Sequence, residues 1–121
     1  MLRVLTLNIW NLSGHWRSRR EAILRVVCRW TPDVVALCEF RATPPSAALA
    51  AALGEQGLVH QATTADPGRA GVNALLVASR WPLRRVLAHR VPDEPARFLL
   101  AEVAGPAPFT LGAMHVPNRD T

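Results

Sequence analysis

The chain contains no lysine, so all of its side-chain positive charge is arginine: 14 arginines against 9 acidic residues, a formal net charge of +5. Arginine suits phosphate, because its planar fork donates two parallel hydrogen bonds. The arginines are scattered, however, and Ala and Pro are abundant too. A compositional bias therefore outweighs a dedicated phosphate surface, and a basic nucleic-acid binder without chemistry ranks last. Cysteine is nearly absent. Cys28 and Cys38 both lie in apolar segments and form no Cys-x-x-Cys pair, which argues against zinc and for two buried free thiols. A disulfide has nothing in its favour. No apolar stretch is long enough to span a bilayer and no secretory signal opens the chain. The expectation is a soluble, cytoplasmic protein in which the sequon Asn11-Leu12-Ser13 carries no meaning. Half of the residues are hydrophobic and 19% are charged, the balance of a globular rather than a disordered chain. Its 121 residues fit one domain that buries about two-thirds of its unfolded surface.

Two apolar runs near the start end in polar residues. Leu2 to Leu7 ends in Asn8, and Val34 to Cys38 ends in Glu39. The segment between them has helical spacing, with Ser18 and Glu21 placed as a capping box and Ile23, Val26, Val27 and Trp30 as one apolar stripe. Thr31-Pro32-Asp33 stops that helix. Strand, helix and parallel strand put both strand ends at one edge of a sheet, the edge where ligands bind in open α/β sheets. A second helix runs from Pro44 or Pro45 to Leu53, capped by Thr43 and ended by Gly54. Leu58–Gln61, Val72–Ala78, Leu83–Val91, Arg97–Val103 and Phe109–His115 read as strands. Asn11–Gly14, Ala65–Gly71 and Pro92–Pro95 read as turns or loops. The order fits an α/β (α+β) class: a mixed β-sheet with helices on one face.

Several side chains in this frame can carry chemistry. Asn8 and Glu39 form a hard oxygen pair suited to magnesium, against a plainer reading in which Asn8 caps a turn and Glu39 opens a solvated loop. His115, closing the last strand, is either a general acid or base near neutral pH or a histidine satisfied by a backbone carbonyl. Asn73 and Arg97 are weaker candidates for a substrate phosphate. Trp10, Trp16, Trp30 and Trp81 read mostly as packing. Trp10, just past Asn8, has stacking as a minority reading.

Taken together, these segments resemble the endonuclease/exonuclease/phosphatase family, whose fold is DNase-I-like. The resemblance rests on Leu2-Arg3-Val4-Leu5-Thr6-Leu7-Asn8-Ile9-Trp10-Asn11, then Pro32-Asp33-Val34-Val35-Ala36-Leu37-Cys38-Glu39. It continues through Gly71-Val72-Asn73-Ala74-Leu75-Leu76 with Ser79-Arg80-Trp81-Pro82, then Arg97 and His115 in family order. It implies a phosphodiesterase, phosphatase or nuclease that hydrolyses a phosphoester by metal-assisted attack of water. Asn8 and Glu39 would hold Mg2+ (or Mn2+), with Glu39 and His115 as catalytic residues and His115 beside the scissile phosphate. The substrate would be a nucleic acid, a phospholipid or a small phosphodiester.

The family's later signatures, a Gly-Asp-Phe-Asn-like and a Ser-Asp-His-like segment, do not occur in the chain. Asn118-Arg119-Asp120 follows His115 too closely to replace them. Residues 1–121 therefore read as a single, C-terminally truncated domain, about half of a four-layer sandwich. They would supply the first sheet and its helices, with the sheet's inner face uncovered and little turnover from the chain alone. The alternative is a non-catalytic relict or interaction module. It would self-associate through that face or pair with a complementary half-domain.

Overall fold

In a computed structural model, residues 1–10, 15–91 and 94–116 are described. Nine main elements follow in order: β1 (Val4–Asn8), α1 (Trp16–Trp30), β2 (Val34–Phe40), α2 (Pro44–Glu55), β3 (His60–Thr63), β4 (Ala74–Ser79), β5 (Leu83–Val91), β6 (Glu94–Val103) and β7 (Phe109–Met114). A 3-10 turn at Pro67–Arg69 interrupts the loop before β4. The strands form two sheets, one ordered β1-β2-β4-β3 and one ordered β5-β6-β7. In the first, β1 and β2 are parallel and the other neighbours antiparallel, so the expected crossover through α1 is present.

Side-chain alternation sorts this sheet into two faces. Leu5, Leu7, Val35, Leu37, Leu76 and Ala78 pack with Ile23 and Val27 of α1 and Leu49 and Leu53 of α2. Val34, Ala36, Leu75 and Val77 point the other way, onto Leu99, Val103 and Ala113 of the second sheet. Central strand β4 is buried at every residue. The order of layers is therefore helices, first sheet, second sheet. The inner face expected to lie bare is covered, because β5–β7 fold back over it. The apolar face left open belongs instead to the outside of the second sheet. There Leu87 is 59% exposed and Met114 63% exposed. Leu87 is paired with Leu100, and Phe98 with Met114.

Helix ends differ from the sequence expectation in instructive ways. α1 starts at Trp16, before the Ser18–Glu21 pair, and its N-cap His15 supplies no side-chain hydrogen bond. Its buried residues are Ile23 and Val27, with Trp16 and Leu24 packed partly beside them. Val26 and Trp30, assigned to the stripe, are exposed at 36% and 56%; Val26 lies about 100° around the helix from Val27, and Trp30 is the last helical residue. Cys28 is exposed too, and Cys38 is only half-buried; both are free thiols. The last turn of α1 is closed by Arg3, whose Nη1 donates to the Trp30 carbonyl at 2.9 Å and to Thr31 Oγ1 at 3.0 Å.

Thr43 does cap α2, accepting from the Ser46 amide at 3.5 Å. Gly54 does not end it. The helix runs on to Glu55, and Gly57 takes the left-handed turn at φ +94°. The Leu58 amide donates to the Leu53 carbonyl at 3.1 Å, and the Gly57 amide to that of Gly54 at 3.0 Å. This is the Schellman pattern, completed by the burial of Leu53 and Leu58 together.

The remaining boundaries shift by a few residues. β3 begins at His60 rather than Leu58, β4 at Ala74 rather than Val72, and β6 at Glu94, which takes Pro95 out of the expected turn. Pro92, the Asn11–Gly14 loop and Asn118-Arg119-Asp120 lie outside the described residues.

Candidate active site

Both sheets direct polar residues to one rim. Asn8 ends β1 directly opposite Cys38, and the next amide, Ile9 N–H, donates to the Cys38 carbonyl at 3.1 Å. Asn8 and Glu39 therefore stand at the carboxyl ends of adjacent parallel strands. Alternation sets the direction of Asn8: Leu5, Leu7 and Ile9 face the helices, so Val4, Thr6 and Asn8 face the side of the second sheet.

Glu39 breaks the alternation of β2. Val35 and Leu37 face the helices, and so does Phe40. Odd and even positions can share a face only if one residue is extra. The pairing with β4 slips at that point: Cys38 opposes Leu75 and Phe40 opposes Ala74. Glu39 is the bulged residue, in the left-handed region at φ +62°. Regular alternation would turn its carboxylate toward the helices. The bulge turns it toward the second sheet instead, where Oε1 lies 3.9 Å from His115 Nε2. Bulges commonly re-aim a side chain in this way, and strain at a non-glycine residue persists only where surrounding contacts impose it. Only 18% of the Glu39 side chain and 20% of the His115 side chain is exposed.

His115 lies one residue past β7, in the inward row of Phe109, Leu111 and Ala113. Arg97 continues the inward row of Leu99, Ala101 and Val103 on β6. The His115 amide donates to the Arg97 carbonyl at 3.0 Å, and Arg97 Nη1 lies 3.3 Å from His115 Nδ1. A guanidinium can only donate. Nδ1 must then accept, which leaves the imidazole proton on Nε2, facing Glu39. Glu39, His115 and Arg97 thus form a chain of contacts that bridges the two sheets.

Asn8 and Asn73 reach the same rim through separate contacts. Asn8 Oδ1 accepts from the Trp10 amide at 2.9 Å. Asn73, just ahead of β4, accepts on Oδ1 from Arg41 Nε at 2.9 Å, and among the described residues its NH2 meets no acceptor. Arg41 went unnoticed in the sequence. Its place two residues past Glu39, at the end of the same strand, was the available signal.

Cys38 faces the inter-sheet side, and its thiol is pushed above its ordinary pKa of 9.0, first by burial and then by the adjacent Glu39 charge. A cleft of about 390 Å³ runs below the rim between the open edges of β1 and β7, lined by Val4, Thr6, Cys38, Leu111 and Met114. A larger groove, about 650 Å³, lies against α2 and includes Arg41 but neither Glu39 nor His115.

Asn8 and Glu39 are hard oxygen donors of the kind magnesium takes. The Asn8 carbonyl oxygen keeps a second lone pair after serving Trp10. Among the described residues no three or more of His, Cys, Asp and Glu gather as a metal cage. Magnesium needs none, because it keeps several waters and leans on substrate phosphate. The residues present therefore fit that ion.

Helices against a mixed sheet, with a second sheet stacked on its other face, make up part of the DNase-I-like sandwich. Residues 5–119 match the Endonuclease/Exonuclease/phosphatase family, and the chain belongs to that family. Similar solved structures include a TDP2 from Caenorhabditis elegans (16% identity, TM-score 0.74, 98% of this chain and 36% of that one). An endonuclease/exonuclease/phosphatase from Beutenbergia cavernae is 23% identical, with TM-score 0.66 over 99% of this chain and 39% of its own. An AP endonuclease from Archaeoglobus fulgidus is 20% identical, with TM-score 0.61 over 87% and 38%. At these identities the likeness concerns the fold, and the chain spans well under half the length of each of the three. No curated protein matches.

Proposed function

We propose that this chain carries the cation and phosphate end of a metal-dependent phosphoester hydrolase, a nuclease or phosphatase. The observation that carries the reading is the bulge at Glu39. It holds a largely buried carboxylate against His115 and beside the end of β1. Asn8 and Glu39 would hold Mg2+ or Mn2+, which when bound would polarise a phosphate oxygen and offset developing negative charge.

The other side chains act on the phosphate directly. With Arg97 donating to Nδ1, the neutral tautomer of His115 would present an Nε2 proton to a phosphate or leaving-group oxygen. Arg97 fixes that tautomer from the far side of the ring. It and the Asn73 amide are also placed to donate to non-bridging oxygens. The Gly-Asp-Phe-Asn-like and Ser-Asp-His-like segments do not occur in the sequence, so turnover by the chain alone is expected to be slight. The reading takes the protein to be cytoplasmic, in keeping with its two free thiols. No described helix is long and apolar enough to cross a membrane.

The test is magnesium titration followed by tryptophan fluorescence, with hydrolysis of a generic phosphodiester in parallel. Saturable binding lost in Glu39→Gln, with at most slow hydrolysis that falls further in His115→Ala, is the expected result. Equal magnesium affinity in wild type and Glu39→Gln would refute the cation assignment. A second reading has its own observation, the exposed Leu87 and Met114 on the outer face of the second sheet. On that reading the chain self-associates or docks a complementary half-domain. Light scattering after size-exclusion chromatography would then show a dimer, and a clean monomer would count against self-association.

A further inference from the structure

Trp10 is 59% exposed and two residues past Asn8. Lone surface aromatics are common and mean little, but this one is gripped. Its amide donates to Asn8 Oδ1 at 2.9 Å, and its carbonyl accepts from Arg19 Nη1 at 2.8 Å. The same guanidinium lies over the indole, 4.9 Å from the ring centroid. The backbone at Trp10 is left-handed, φ +48°, a conformation that a bulky residue adopts only when held. Arg19 thus backs one face of a fixed ring, while more than half of the residue remains open to solvent.

The surroundings are basic where a helix favours acid. Arg17, Arg19 and Arg20 crowd the start of α1, and no acidic residue lies in its first turn; Glu21 follows. Cations at the positive end of a helix repel its dipole. The unfavourable placement suits a ligand that brings its own negative charge. A rigid aromatic platform near arginines suits single-stranded nucleic acid, with bases on rings and phosphates on arginines.

We infer that Trp10, backed by Arg19, is a stacking subsite for a nucleobase next to the reacting phosphate, so that the ligand is single-stranded nucleic acid rather than a phospholipid. The inference rests on the assignment of the Asn8–Glu39–His115 rim as the phosphate site. The hydrogen bond from the Trp10 amide to Asn8 Oδ1 ties the backbone of this platform to the phosphate rim.

Fluorescence anisotropy of the full chain with a labelled oligothymidylate, and with an abasic oligomer of equal length and charge, tests the subsite. EDTA is present throughout, so that neither cation binding nor hydrolysis enters. The wild type is expected to bind the base-bearing strand roughly tenfold more tightly. Trp10→Ala should erase that preference while keeping the abasic affinity, and Trp10→Phe should retain most of it. Vesicles of phosphatidylcholine with phosphatidylserine should bind more weakly than the oligothymidylate. Equal affinity for the two oligomers, no binding to either, or tighter binding to vesicles would each overturn the inference. The wild-type comparison needs no variant to fold. Failure of the cation site is read separately, from the magnesium affinity of Glu39→Gln.

Discussion

Glu39 should be more stable as glycine than as alanine, although both changes remove the same carboxylate. At φ +62° an L-residue costs about 1–2 kcal/mol that glycine does not incur. Against this, glycine loses about 0.4–1 kcal/mol more chain entropy on folding than alanine. The difference leaves Glu39→Gly more stable than Glu39→Ala by roughly 1 kcal/mol. Both variants lose the contact with His115, so the comparison isolates the backbone. For 121 residues, an unfolding entropy of about 2.1 cal/mol/K per residue gives about 0.25 kcal/mol/K, and 1 kcal/mol becomes roughly 4 °C in Tm. Thermal unfolding followed by circular dichroism, with EDTA present, measures it. A Glu39→Gly variant no more stable than Glu39→Ala would refute the claim that the bulge is strained.

Four further outcomes are expected. Gly54→Ala should stabilise by about 0.5–1 kcal/mol, because Gly54 is helical and a new methyl group there would find only Gln61 Nε2, at 3.9 Å. Gly57→Ala should destabilise by about 1–2 kcal/mol, because its φ of +94° is left-handed; urea unfolding of the pair should show opposite signs. Thr43→Ala should cost about 1 kcal/mol through loss of the α2 cap, read in the same denaturation series. Iodoacetamide at pH 8 should modify exposed Cys28 well before Cys38, whose thiol is held protonated by burial and then by the Glu39 charge. The sign for stability follows from linkage. A raised folded pKa stabilises the fold fully below 9.0, and that contribution fades as pH climbs above it.

The elements were largely legible because their signals are local. The apolar runs of β2 and β4, the Thr43 cap with prolines behind it, and the Pro32 stop all act within a few residues. What escaped depends on distant partners. Nothing local distinguishes Gly54 from Gly57 as the end of α2; the choice falls where Leu58 can reach the core beside Leu53. The fold-back of β5–β7 onto Val34, Ala36 and Val77 is a docking of one sheet on another, with no mark of its own in the chain. At the rim, Asn8, Glu39, Arg97 and His115 could be marked as strand-end residues. The turn of Glu39 out of its regular direction could not, because a glutamate in left-handed backbone carries no glycine to announce it. Its signature appears only when Phe40 is seen among the helix-facing side chains.

Asn8 and Glu39 come from one sheet, Arg97 and His115 from the other, and what sets the spacing between the pairs is the apolar layer of Val34, Val77, Leu99 and Val103. The pocket's dimensions are thus a caliper reading of how two hydrocarbon surfaces mesh. Any sideways drift of that mesh would open or pinch the jaws without altering a single polar atom.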